Sequence, residues 1–230
     1  MATRPRPTSA APAVAMVAGE VSGDLLAGLL LGGMQQRWPH VHSYGIGGPQ
    51  MQRHGFEAWW PHTTLAVHGF NWELLRRYRE IIGIRSQLRQ RLLQQKPDIF
   101  IGTDAPDFNF SLEADLQSAG IKTVHFVCPS VWAWRPERMQ TIRRSADHVL
   151  CIFPFEPALL QRNDIPATYV GHPLASVIPM QTDQTSARLA LCKALGLDPQ
   201  APLVALLPGS RRSEISHLAG RFLQAASLIK

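Results

Sequence analysis

Short, apolar, β-prone runs alternate along this chain with longer segments of helical period, and few architectures accommodate that rhythm. The runs are AVAMVA (13–18), VHSYGI (41–46), DIFIG (98–102), TVHFV (123–127), HVLCIF (148–153) and PLVALLP (202–208). Helical patterns fall between them at 24–37, 72–95, 109–119, 136–145, 155–163 and 186–195. A strand followed by a helix, repeated, predicts an α/β fold: a parallel sheet with helices on both faces.

Composition narrows the functional classes. Hydrophobic residues are 45% of the chain and charged residues 17%, which excludes a chain too polar to build a core. Lys and Arg number 23 against 17 Asp and Glu, a net charge of +6 that suits anionic partners. Cys128, Cys151 and Cys192 show no paired spacing, so neither a disulfide framework nor a zinc site is expected, and a reducing compartment follows. The nine histidines form no H-E-x-x-H, so no metal is expected. No recognised nucleic-acid motif accompanies the charge, and nucleic acid is not an expected partner. No apolar run is long enough to span a bilayer.

Residues 1–12 read as a disordered tail, 13–178 as an α/β domain, and 179–230 as a linker and the incomplete beginning of a second α/β domain. The linker follows from the Pro-rich and polar text between Gly171 and Pro202. Because the helical pattern runs to Lys230 without a stop signal, the chain alone is expected to be inactive.

Ligands of open parallel sheets bind at the carboxyl ends of the strands, so the loops there carry the candidates. GEVSGD (19–24) supplies Ser22 and Asp24 as helix caps or substrate contacts, and Glu20, whose carboxylate capping does not explain. GIGGPQ (45–50) lacks the last glycine of a dinucleotide fingerprint. TDAPDFN (103–109) presents Asp104, a candidate general base, with Asp107 and Asn109 as caps or substrate contacts. CPSVWAWRPER places Trp132, Trp134 and Arg135 together, as packing or as a sugar platform. LPGSRRSEI offers Ser210 and Arg211 at a helix start, where backbone N–H groups and a guanidinium suit a phosphate.

The helix expected over 72–95 carries six arginines beside more apolar residues than one core stripe needs. Trp72, Leu75, Arg76, Arg77, Tyr78, Arg79 and Ile82 are therefore candidates for contact with an anionic bilayer, packing under a second domain being the alternative.

Taken in order, VAGEVSGD, GTDAPDFN, PSVWAWR, FPFE, GHPL and LLPGSRRSEI resemble the lipid-A-disaccharide synthases over Ala13 to Lys230. The resemblance implies a GT-B glycosyltransferase of two Rossmann-like domains on the cytoplasmic face of the inner membrane. It implies transfer of 2,3-diacylglucosamine from UDP-2,3-diacylglucosamine to 2,3-diacylglucosamine 1-phosphate, with Asp104 as base, Glu20 as an acidic active-site residue and Arg211 on the phosphate side. No metal or organic cofactor is implied, and a homo-oligomer is compatible with it. Another UDP-sugar transferase or epimerase of this fold, or a non-catalytic fragment, is the alternative.

Overall fold

A computed structural model describes residues 11–65, 72–131, 136–209 and 212–229, with the side chains of 72–78, 136 and 212 outside the description. The chain divides between Ile178 and Pro179 into two compact units.

The first unit holds a seven-stranded sheet. Its strands are β1 (Ala13–Ala18), β2 (His42–Gly47), β3 (Glu57–Pro61), β4 (Ile99–Thr103), β5 (Lys122–Phe126), β6 (His148–Cys151) and β7 (Ala167–Tyr169). Their order is β3-β2-β1-β4-β5-β6-β7, with every neighbouring pair parallel. The helices of this unit are α1 (Val21–Arg37), α2 (Pro49–Gln52), α3 (Trp72–Gln95), α4 (Pro106–Ser118), α5 (Met139–Ser145) and α6 (Glu156–Gln161).

Period-two alternation in β1 explains why both faces are covered. Val14, Met16 and Ala18 pack with Leu26, Ala27 and Leu31 of α1 and Met51 of α2. Ala15 and Val17 point the other way, into a cluster with Ile84, Leu88 and Leu92 of α3 and Phe108, Leu112 and Leu116 of α4. A strand apolar on both sides is what a doubly covered parallel sheet demands. Around α5 and α6 a third cluster gathers Phe110, Ile142, Val149 and Leu160. All three cysteines are buried free thiols.

Two edge strands, β3 and β7, were not anticipated. Strand β3 is the Trp-rich EAWWP, where Trp59 stacks on Tyr44 at 4.6 Å and the Arg91 guanidinium lies 3.6 Å over its ring. Strand β7 has three residues, too few to leave a periodic signal.

The second unit contains α7 (Gln184–Leu195) and α8 (Arg212–Ala226). Asp183 caps α7, its Oδ1 accepting from the Thr185 and Ser186 N–H groups, and Gly196 ends it at φ +65. The strand expected at 202–208 does not form, and Leu203, Val204, Leu206 and Leu207 are exposed. Strand propensity is realised only against a neighbouring ladder, and the described residues of this unit include no strand to pair with.

Candidate active site

The strand order changes direction at the β1–β4 pair: β2 and β3 lie to one side of it, β5 to β7 to the other. Such a switch point opens a crevice at the carboxyl ends of the two strands. Ala18 is in register with Thr103, so Gly19 and Glu20 leave the sheet beside Asp104 and Ala105. The two turns nearly touch. A Cβ on Gly19 would lie 2.7 Å from the Ala105 Cβ, so only glycine allows this approach, and a Cβ on Gly23 would lie 3.7 Å from that of Asp104. Glu20 and Asp104, both half-buried, are thus brought to one crevice.

The β4–α4 turn is unusual. Asp104 and Ala105 both adopt left-handed backbone, at φ +52 and +44, where residues with a Cβ are uncommon. Ala105 is the N-cap of α4 and supplies no capping side chain. The expectation that Asp107 or Asn109 caps this helix is therefore corrected. Pro106 at the first helical position dispenses with one N–H, and Asp107 in the first turn is an exposed carboxylate ion-paired with Arg138. Asn109 is fully buried beneath the turn, where its Nδ2 donates to the Asp104 carbonyl at 2.7 Å. At that position it supports the turn from inside the fold.

Asp24 is also relocated. It is 2% exposed and accepts three backbone N–H bonds from the β2–α2 turn: Gly48 at 2.8 Å and Met51 at 3.2 Å to Oδ1, and Gln50 at 2.9 Å to Oδ2. Its carboxylate caps the start of α2. Gly48 is required there, because a Cβ would lie 2.5 Å from Asp24 Oδ2 and overlap the His62 ring. Ser22 is exposed in the first turn of α1.

Behind the β4–α4 turn, His125 Nδ1 lies 2.7 Å from Glu113 Oε1, both side chains fully buried. Burial pushes the Glu113 carboxyl above its ordinary value, against the opposing pull of His125. A Cβ on Gly102 would overlap Glu113 and come within 2.9 Å of Asn109, so α4 rests directly on the β4 backbone. Neither Glu113, His125 nor Arg138 was anticipated. The legible signal was Asn109 and Glu113, polar residues four apart on the face of α4 that carries Leu112 and Leu116 into the core.

Ser210 and Arg211 lie outside the described residues, as do Trp132, Trp134 and Arg135. Of the membrane candidates, the side chains of Trp72, Leu75, Arg76, Arg77 and Tyr78 lie outside them too, while Arg79 and Ile82 are exposed. From Ile84 onward α3 is a core helix, and Arg89 is tied to Asp115 at 2.9 Å. Among the described residues no helix is long and apolar enough to cross a membrane, and no group of three His, Cys, Asp or Glu could hold a metal ion.

Residues 14–230 match the family model described as lipid-A-disaccharide synthetase. The lipid-A-disaccharide synthase of Albidiferax ferrireducens is 68% identical over 216 residues, covering 94% of this chain and 54% of that protein. That of Verminephrobacter eiseniae is 61% identical, covering 94% and 55%. The chain spans about half the length of the curated relatives it matches. Among solved structures, Glycyrrhiza uralensis UGT73P12 complexed with glycyrrhetinic acid 3-O-monoglucuronide superposes with a TM-score of 0.51 at 10% identity, over 81% of this chain and 54% of that one. This likeness bears on the fold alone, which is of the GT-B type. With identities this high across nearly all of its residues, the chain belongs to the lipid-A-disaccharide synthetase family.

Proposed function

We propose that the protein carrying this chain transfers 2,3-diacylglucosamine from UDP-2,3-diacylglucosamine to the 6-hydroxyl of 2,3-diacylglucosamine 1-phosphate, releasing UDP. The observation that carries this reading is the convergence of two family-like loops, VAGEVSGD and TDAPDFN, on the crevice at the β1–β4 switch point. Asp104 takes the proton of the acceptor hydroxyl as its oxygen bonds to the anomeric carbon of the donor. The bond from that carbon to the UDP oxygen breaks, the electron pair leaves on UDP, and configuration inverts. Glu20 and the exposed Ser22 border the same crevice, and the N-terminus of α1 favours an anionic group of the bound substrates. Ser210 and Arg211 contribute to stabilising the departing diphosphate.

The test is incubation of the protein with both acylated sugars. Disaccharide 1-phosphate and UDP are expected in equal amounts, and UDP release without the disaccharide defeats the reading. A UDP-sugar lacking acyl chains is the control for another transferase of this fold.

Docking on an anionic bilayer belongs to the same proposal, narrowed to the first part of α3 because Ile84, Leu88 and Leu92 are core. Each basic residue near such a surface is worth about 1 kcal/mol, and reversal of one removes about twice that. Arg79→Glu is therefore expected to weaken sedimentation with anionic vesicles roughly ten- to thirty-fold, with a smaller effect at high salt. Equal binding to neutral and anionic vesicles sinks the idea.

A further inference from the structure

We infer that Asn109 is a positioning residue for Asp104: its buried amide holds the left-handed turn that aims the Asp104 carboxylate into the crevice. This rests on the proposal that Asp104 is the base.

Two backbone bonds immobilise Asp104. Its N–H donates to the Phe126 carbonyl of β5 at 3.0 Å, and its carbonyl accepts from Asn109 Nδ2 at 2.7 Å. The first bond continues the β4–β5 ladder by one residue. The second has no ladder to rely on, because φ +52 at Asp104 and φ +44 at Ala105 have already turned the chain out of the sheet. Left-handed conformation costs roughly 1 kcal/mol or more per residue with a Cβ, so two in succession persist only if the surroundings hold them.

Asn109 can hold them because it is itself fixed. It is fully buried, pressed on the β4 backbone at Gly102, one helical turn from Glu113, which is bonded to His125. Asn109 Oδ1, Glu113 Oε2 and His125 Nε2 are buried and find no partner among the described residues. An apolar side chain would fill this layer of α4 without burying an unpaired Oδ1 of its own, as Leu112 and Leu116 do nearby. The one bond that an apolar side chain could not make is the one to Asp104. A static misplacement of about 1 Å at a reacting group can cost on the order of 100-fold in rate, so a rigid support has a kinetic consequence.

The experiment is a double-mutant cycle in the whole protein, assayed for disaccharide formation. Asn109→Leu, with the same branching and number of side-chain heavy atoms and unable to donate, is expected to lower kcat about 10- to 100-fold with KM within about twofold. Placed on Asp104→Asn, the same change is expected to lower kcat no further, since there is no base left to misplace. Asn109→Ala serves as the second variant, with thermal unfolding measured for both. Equal losses in both backgrounds, a loss carried by KM, no loss, or failure of both variants to fold would each overturn the inference. Full activity of Asp104→Asn by itself defeats the base assignment instead, and is seen before any Asn109 variant enters the cycle.

Discussion

Asp104→Asn is expected to lower kcat about 100- to 10,000-fold at saturating substrates, while UDP binding and thermal unfolding change little. Asparagine keeps the size of the side chain and tolerates the left-handed backbone at φ +52, so the turn survives. What it loses is the ability to accept a proton. The informative comparison is Asp107→Asn, three residues away in the same motif. Asp107 is 80% exposed and ion-paired with Arg138 at the rim, and an exposed pair is worth about 0 to 1 kcal/mol, so kcat should fall a few-fold at most. A nearly active Asp104→Asn beside a folded but inactive Asp107→Asn would reverse the assignment.

The two aspartates also show what the sequence could and could not disclose. Asp104 is legible because it directly follows the apolar run that becomes β4, and a strand end in a parallel sheet is where ligands go. The role of Asp107 is set by Arg138, 31 residues on, a pairing that no local pattern specifies. Asn109 looks like a helix cap in the sequence because the apolar helical pattern begins there. In the structure Pro106 starts α4 earlier, which puts Asn109 one turn inside and facing the sheet.

The same division between local and distant causes runs through the fold. β1 and β4 are buried on both faces and therefore read as nearly continuous apolar runs. β3 draws its burial from Tyr44 and Arg91, neither adjacent in sequence, and stays hidden. The run PLVALLP misleads in the opposite sense. Its composition is that of a central strand, but composition provides only the side-chain half of a strand, and the other half is a hydrogen-bonded neighbour. In α3 a single periodicity conceals two regimes: Ile84, Leu88 and Leu92 are core, whereas Arg79 and Ile82 remain at the surface.

Asp24→Ala is expected to destabilise the first unit by about 3 to 5 kcal/mol, because three backbone N–H groups of the β2–α2 turn lose one buried carboxylate. For a unit of this size that is roughly a 10 °C fall in Tm, a large share of the stability of an ordinary domain. The effect is on folding, not on substrate, which separates it from the Asp104 result. Asp24→Asn sharpens the test. An amide oxygen in the place of Oδ1 can still accept from Gly48 and Met51, but the NH2 then faces the Gln50 N–H, donor against donor. An intermediate loss is therefore expected, about half that of alanine. The turn that Asp24 caps has no slack to find another partner, since Gly48 is already in contact with both Asp24 and His62. Differential scanning calorimetry of the two variants, with disaccharide formation measured well below Tm, decides the matter. Unchanged unfolding together with lost activity would return Asp24 to the substrate contacts, and a graded fall in Tm with activity retained in the folded fraction would place it in the scaffold.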